Sequence, residues 1–133
     1  MNKLSNKGQS LAIFVIFLPV FIMMGAFIVD LGLAKYNDNK IDNINKMVIK
    51  YGLNHIDENP YNDMVDLIYQ NDSKIDSYSI DIDSVNKTIR ISIDKSSIGP
   101  FGKIIDKQIY KEKSSYIGYI KDEKIIIERD DVK

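Results

Sequence analysis

Few residues of this chain combine a reactive side chain with a spacing that suggests catalysis. His55 is the only histidine, and a lone histidine more often lies on a surface or at a helix end than acts as a general base. The chain has no cysteine, which excludes disulfides, thiolate nucleophiles and cysteine-based zinc or iron–sulfur sites. The sequence contains no P-loop, GxGxxG, HExxH or GxSxG motif. We therefore expect a protein that is not an enzyme, with no catalytic, cofactor-binding or metal-binding residue.

The paired acidic residues also lack the surroundings of a metal site. Asp81 and Asp83 are two positions apart in an alternating segment, so both are expected on the solvated face of a strand. Calcium takes six or more oxygen ligands, and the sequence has no D-x-[DN]-x-[DN]-G loop. With 18 basic and 19 acidic residues, the net charge is -1, which gives no overall field to attract nucleic acid. We expect neither nucleic acid nor a small-molecule substrate as a partner.

A long apolar run near the N-terminus determines the class of protein. Residues 11–29, LAIFVIFLPVFIMMGAFIV, include no charged residue, and the uncharged run has 22 residues when it is counted from Gly8. As a helix, the shorter run covers roughly 30 Å, the thickness of the hydrocarbon core of a bilayer. Pro19 lies in mid-span, where membrane helices tolerate proline as a kink. The run predicts a transmembrane helix over residues 9–33 and the lipid bilayer as a partner.

Two other interpretations of this run stay open. A buried helix of a soluble domain would need a larger and less polar remainder to cover a helix that is apolar on all sides. A cleaved secretory signal would have a hydrophobic region of about 7–15 residues, followed by small residues at the cut. At the nearest such place, Met24-Gly25-Ala26, methionine occupies a position that needs a small side chain. Both interpretations fit less well than a membrane span.

The charges that flank the run predict its orientation. Lys3 and Lys7 precede the span, and Asp30 follows it directly. Because positively charged flanks stay in the cytoplasm, residues 1–8 are expected to form a cytoplasmic basic leader. Residues 34–133 would then form an extracytoplasmic α+β domain of a cell-membrane protein.

Helical patterns come first in this polar remainder. An apolar stripe with spacings of three, four and three predicts that the helix continues outside the membrane and packs on a sheet. Gly52 is expected to cap this helix. Whether the helix is continuous stays open, and residues 36–39, YNDN, are the place most prone to a break, since Asn and Asp compete for backbone hydrogen bonds. Asn59 and Pro60 predict the N-cap and first residue of a short helix over about 60–70. The stripe consists of Ile41, Ile44, Val48 and Tyr51.

After residue 73 the apolar period changes from that of a helix to two, which is typical of strands. Turns are expected at residues 85–87 and 121–123, and residues 99–102, GPFG, predict a loop that leads into a single helical turn. The fold class is therefore α+β: a long N-terminal helix, a short second helix and a small antiparallel sheet in a pilin-like arrangement. The alternation predicts about four strands, near residues 78–82, 89–93, 109–120 and 124–128.

The segment Lys7 to Gly32, KGQSLAIFVIFLPVFIMMGAFIVDLG, resembles the N-terminal segment of the TadE/TadG-like proteins of tight-adherence (Flp-type) pilus assembly. That family has a basic-Gly-Gln/Ala start, a proline near the middle of the span, and an acidic residue, one spacer and glycine at its end. The stretch Ile41 to Gly52 stands where the family continues as a helix, although its alanine-rich character is missing here. The matching positions are Lys7, Gly8, Gln9, Pro19, Asp30 and Gly32.

The same positions also have plain physical interpretations. Pro19 and Gly25 permit bending and close contact between helices. Asp30 and Gly32 would mark the outer interface, with the carboxylate hydrated. The resemblance further suggests a prepilin-peptidase junction at Gly8–Gln9. The glutamate that pilins usually carry at the fifth mature position is replaced here by Ile13, which puts that cleavage in doubt.

The resemblance implies a non-enzymatic component of a tight-adherence or type IV-like pilus assembly or secretion system. Such a chain would be either a minor pilin-like subunit or a membrane-anchored assembly factor, and its partners would be other pilus or assembly-platform proteins. The alternative is an unrelated single-pass protein of the cell envelope that binds or senses something by itself. The same residues are compatible with each of these functions.

Overall fold

A computed structural model describes residues 4–105 and 109–131 of the chain. Lys3 of the predicted leader lies outside the described residues. The elements are the helices α1 to α3, a 3-10 turn after α1, and the strands β1 to β4. In chain order they are α1 (Leu4–Asn54), the 3-10 turn (Ile56–Glu58), α2 (Tyr61–Asn71), β1 (Ser77–Asp83), β2 (Thr88–Ile98), α3 (Pro100–Ile105), β3 (Ile109–Lys121) and β4 (Lys124–Arg129).

The predicted α+β class, with a long N-terminal helix, a short second helix and four strands, is confirmed. The strands form one sheet in the order β1-β2-β3-β4, in which each strand neighbours the next along the chain. The β1–β2 hairpin pairs Ile80 with Ile91, and the β3–β4 hairpin pairs Ile120 with Ile125. The predicted turns between the strands of both hairpins and the short helix after Gly99 are also present.

The described chain divides into two compact units. One unit comprises Met1–Leu33 together with Ile98–Ile109, and the other comprises Ala34–Ser97 together with Tyr110–Lys133. The first unit therefore contains the apolar part of α1 and the α3 region. The second, which we call the head unit, contains the rest of α1, α2 and most of the sheet.

The core of the head unit lies between the sheet and the C-terminal part of α1. Alternation in β2 directs three isoleucines to one face, and all three are fully buried. α2 adds Met64 and Ile68 to the same cluster. Complete burial of one such side chain contributes about 1.5–3 kcal/mol, so this cluster is a main source of stability for the unit. The core residues of β2 are Ile89, Ile91 and Ile93, and those of α1 are Ile41, Ile44, Val48, Ile49 and Leu53.

The helix has no break at residues 36–39, the place most prone to one, because α1 is unbroken from Leu4 to Asn54. Two of the side chains that could compete for backbone hydrogen bonds have other partners. Asn37 Oδ1 accepts a hydrogen bond from Lys95 Nζ at 3.2 Å, and Asp38 pairs with Lys35 at 3.4 Å. With those groups engaged elsewhere, the backbone keeps its helical hydrogen bonds.

The residues predicted to cap two helix ends are wrong. Gly52 does not cap α1 but lies within it, two residues before its end, buried beneath Met64 and Ile89. A side chain there would overlap both neighbours, so this glycine serves close packing. Asn59 does not cap α2; it adopts a left-handed conformation (φ 52°) after the 3-10 turn, and Pro60 stands directly before the helix. The predicted second helix itself is confirmed as Tyr61–Asn71.

Candidate membrane-spanning segment

The N-terminal part of α1 presents apolar side chains to its surroundings on every side. Leu11, Phe21 and Ile28 expose 65%, 65% and 66% of their surface. Among the residues that the structure describes, α1 is the one helix long and apolar enough to cross a bilayer. Its most apolar stretch of 18 residues has a mean hydropathy of 2.8 and contains no buried residue. This arrangement is compatible with a single-pass membrane protein, because in water the same surface would be strongly unfavourable.

The insertion energy of this segment can be bounded from its composition. Each Leu, Ile, Phe or Val near the centre of a span favours insertion by about 0.3–0.6 kcal/mol. The run 11–29 contains about a dozen of them, so their sum is roughly 4–7 kcal/mol. Pro19 removes one backbone donor, but α1 continues through it. The favourable sum exceeds the roughly 3 kcal/mol that proline costs in a helix in water.

The glycines of the predicted span motif have open space around them. A Cβ atom added to Gly8, Gly25 or Gly32 would meet no described atom within 4 Å, and none of the three has positive φ. Within the described part of the chain, neither packing nor backbone conformation therefore requires glycine there. Gly8 and Gln9 lie in the exposed first turns of α1.

Asp30 does not occupy the hydrated position that was expected for it. Its side chain is fully buried, and its Oδ2 accepts a hydrogen bond from the backbone N–H of Gly102 at 3.0 Å. Gly102 is the third residue of α3, where the first N–H groups of a helix have no partner within the helix. Asp30 thus supplies, from 72 positions earlier in the chain, the acceptor that a capping residue would provide. Gly99 lies so close that a Cβ atom there would overlap the Asp30 carboxylate.

The predicted stripe on α1 divides into buried and polar parts. Ile41, Ile44 and Val48 are buried in the core, as expected. Tyr51 is only half-buried, and its hydroxyl donates a hydrogen bond to Asp63 Oδ2 at 3.2 Å. Partial desolvation, followed by the charge of Asp63, raises the pKa of Tyr51. This residue therefore joins α1 to α2 through a hydrogen bond as well as through packing.

His55 has a structural position at the end of α1. Its ring stacks on Tyr51, with centroids 4.3 Å apart, and its Nδ1 lies 2.9 Å from the backbone oxygen of Tyr51. A side chain that reaches one of the last carbonyl groups of a helix acts as a C-terminal cap. The expectation that this histidine lies near a helix end is confirmed.

Asp83 serves the β1–β2 turn. Its Oδ1 accepts hydrogen bonds from the backbone N–H groups of Val85 and Asn86 at 3.1 and 3.0 Å. The backbone and side-chain hydrogen bonds from Asn86 lower the pKa of this carboxyl. In the described part of the chain, no group of three or more His, Cys, Asp or Glu residues is placed to hold a metal ion.

Asn45, which was not predicted as a structural residue, is fully buried between α1 and the sheet. Its Nδ2 lies 3.1 Å from the backbone oxygen of Ile91 and 3.2 Å from that of Ser114, to which it can donate. It therefore links α1 to β2 and β3. The signal was present, because Asn45 follows Ile41 by four residues and Ile44 by one, within the buried face of the helix.

A buried ion pair in the head unit was also missed. Lys95 Nζ lies 2.6 Å from Asp72 Oδ2, with exposures of 7% and 4% for the two side chains. Lys40 approaches the same oxygen at 3.6 Å, and Lys95 also donates to Asn37. The cluster joins α1, the end of α2 and β2. Position 95 continues the inward alternation of Ile91 and Ile93, which places a lysine on the buried face.

Comparison with models of protein families, with curated proteins and with solved structures finds no match to this chain. Its function is therefore inferred from its own residues and geometry. The polar groups described above serve capping, turn formation and packing, whereas the N-terminal part of α1 exposes a long run of apolar side chains.

Proposed function

We propose that this chain is a non-enzymatic, single-pass component of a tight-adherence-type pilus assembly or secretion system. It acts there as a minor pilin-like subunit or as a membrane-anchored assembly factor. The observation that carries this proposal is the division of α1. Its N-terminal part is apolar and exposed on all sides, whereas Ile41, Val48 and Ile49 of the same helix are buried in the core of the head unit.

A helix of this kind can serve two environments without a change of secondary structure. Either lipid or the apolar helices of other subunits can cover its apolar surface. The open space at Gly8, Gly25 and Gly32 supports close approach of a neighbouring helix, since small residues allow helix backbones to pack tightly. A filament core and a bilayer therefore both suit the same segment.

The sequence resemblance of Lys7 to Gly32 to the TadE/TadG-like proteins supports the choice of system. In this proposal the N-terminus stays in the cytoplasm and the head unit lies outside the membrane, as the basic leader favours. Other pilus subunits or platform proteins are then the partners, and the head unit provides the surface that meets them.

The proposal is tested in the native host by deleting the gene and counting surface filaments. We expect fewer or no filaments in the deletion strain and restoration by the full-length chain. A deletion strain with normal filaments, normal adherence and normal secretion would contradict the proposal. A chain that lacks residues 1–34 is the matched control, because it retains the head unit and should not restore assembly.

Shearing separates the two forms of the proposal. Filaments are sheared from the cells, and both the filaments and the membrane fraction are blotted for this protein. Signal in the filaments identifies a minor pilin-like subunit, with the span transferred from lipid into a fibre. Signal confined to membranes, while filaments are present, identifies an anchored assembly factor.

Processing at Gly8–Gln9 is tested by the intact mass of the membrane-extracted protein. A mature chain that begins at Gln9 would support cleavage by a prepilin peptidase, and Gly8→Val should then block it. A chain that begins at residue 1 or 2 would exclude cleavage and leave the leader as a cytoplasmic flank.

A further inference from the structure

We propose that residues Ile98–Ile105, which we call the α3 segment, insert into the outer headgroup region of the bilayer as a second membrane contact. This inference rests on the part of the proposed function that places residues 11–29 in a membrane. It adds a lipid-binding surface that lies about 70 residues further along the chain than the span.

The position of the α3 segment follows from its contact with Asp30. Gly102 N–H donates to Asp30 Oδ2 at 3.0 Å, and both belong to the same compact unit. Asp30 is the first residue after the uncharged run 11–29. Since that run matches the hydrocarbon thickness of about 30 Å, Asp30 stands where hydrocarbon gives way to headgroups. The hydrogen bond therefore holds the α3 segment at that level.

The close packing of two glycines fixes this contact further. Gly99 and Gly102 are both buried, and any side chain on Gly99 would overlap the Asp30 carboxylate. A carboxylate at the edge of the hydrocarbon is costly unless it is hydrogen-bonded or hydrated. The α3 segment supplies the hydrogen bond, so its attachment to α1 also accounts for a buried Asp30.

The composition of the α3 segment suits a headgroup region. Its sequence is IGPFGKII, in which Lys103 is the only charged residue. Ile98 exposes 51% of its surface, and Ile109, in the same unit, exposes 56%. A short segment of aliphatic residues with one aromatic and one exposed lysine favours the boundary between acyl chains and phosphates. A lysine at that level is also attracted by anionic lipids.

The end of the span in α1 also exposes apolar side chains. Phe27, Ile28 and Leu31 of α1 expose 42%, 66% and 47% of their surface. In a bilayer, lipid covers these side chains around the end of the span, and the α3 segment is attached to α1 at that level. Lipid is therefore the occupant that covers both surfaces at once.

Tryptophan fluorescence tests this inference, because the native chain contains no tryptophan. Ile98→Trp is made in the full-length chain, which is reconstituted in phosphatidylcholine–phosphatidylglycerol vesicles with bromine at shallow or deep acyl positions. We expect a blue-shifted emission and a loss of fluorescence that is larger with shallow than with deep bromine.

Two reference variants separate the possible failures. Leu18→Trp, in the middle of the run, should be quenched most by deep bromine. Val85→Trp, in a polar turn where the native side chain is 91% exposed, should emit as in water. If Leu18→Trp is quenched while Ile98→Trp emits as Val85→Trp does, the α3 inference is overturned and the span is retained. If Leu18→Trp is not quenched, the membrane part of the proposed function fails, and the α3 inference fails with it.

Discussion

Asn45 is a polar residue in the middle of the buried face of α1. Its amide lies within hydrogen-bond distance of backbone oxygens of Ile91 and Ser114, and of the Ser114 hydroxyl. A buried backbone oxygen that loses its donor costs free energy, whereas an exposed one can bind water. This side chain therefore determines how α1 and the sheet of the head unit fit together.

We expect Asn45→Ala to lower the free energy of unfolding by about 1–3 kcal/mol, because it leaves buried acceptors without a donor. Asn43→Ala is the matched control, since Asn43 is exposed on the same helix. Both changes give the same gain in helix propensity, so the difference between them reports the buried hydrogen bonds. Denaturant unfolding of the full chain in detergent measures both, and equal stability of the two variants would contradict this role.

Asp72 gives the stability of the head unit a defined dependence on pH. Burial alone raises the pKa of its carboxyl, but hydrogen bonds from Lys95 and from the Lys74 backbone outweigh burial, together with the charges of Lys95 and Lys40. The net result is a pKa below the ordinary 3.8. A carboxyl whose pKa is lower in the folded state stabilises the fold above its unfolded pKa. This contribution to stability is complete at neutral pH. It is lost as the pH falls below 3.8 and through the pKa that Asp72 has in the folded state.

The variant Asp72→Asn tests this pH dependence. We expect it to be less stable than the native chain at neutral pH, and the difference to shrink as the native carboxyl becomes protonated in acid. Asp76→Asn, at an exposed position on the same connection, should change little. Unfolding free energies measured at neutral pH and well below pH 3.8 provide the comparison. A difference that stays constant across this range would contradict the account.

At the scale of elements, two glycines of the head unit leave no room for a side chain where α1 packs on α2 and the sheet. Gly52 of α1 lies beneath the thioether of Met64 and the Cδ1 of Ile89. Those atoms are the far ends of side chains that can move. Gly118 of β3 lies against Cγ2 of Ile49 and near Leu53. The Cγ2 atom of Ile49 is attached to Cβ in a fully buried side chain, so it has little freedom to move.

Gly118→Ala should therefore destabilise the fold. Overpacking of a core costs about 1–3 kcal/mol, which exceeds the roughly 0.5–1 kcal/mol gained when glycine is replaced within a strand. Gly32→Ala is the control, because nothing described lies within 4 Å of its added Cβ. We expect a lower melting temperature for Gly118→Ala and an unchanged or higher one for Gly32→Ala. A Gly118→Ala chain as stable as the native one would show that β3 can move away from α1.

The sequence predicted the type and order of the elements better than their ends. Alternation predicted both hairpins, because Ile89, Ile91 and Ile93 follow the strand period without interruption. The helix ends near Gly52 and Asn59 were wrong because local capping preferences gave way to packing beneath Met64 and to a 3-10 turn. The unbroken helix at Asn37 was not predictable from local sequence, since its hydrogen-bond partner Lys95 is 58 positions away.

In the candidate membrane-spanning segment too, features that depend on distant residues were not predictable from local sequence. The apolar run was evident, because nineteen uncharged residues in succession need no tertiary information to be recognised. The position of Asp30 was not evident, because its partner Gly102 is 72 residues away. An acidic residue at the end of a span suggests hydration when it is considered alone. Only the fold shows that Gly99 and Gly102 cover it.

At the scale of the whole molecule, the central claim is a membrane-anchored protein whose head unit lies outside the cell membrane. The exposed apolar part of α1 favours the anchor. The basic leader favours a cytoplasmic N-terminus. A reagent outside the cell should therefore reach the head unit but not the N-terminal leader.

Cysteine labelling in intact cells of the native host tests that claim most directly. The native chain has no cysteine, so a maleimide that does not cross membranes can label this protein only at an introduced thiol. We predict that Val85→Cys, at a position that is 91% exposed, is labelled in intact cells, whereas Ser5→Cys, in a chain that keeps residues 1–8, is labelled only after lysis. Labelling of Ser5→Cys in intact cells, with Val85→Cys protected until lysis, would contradict the proposed orientation.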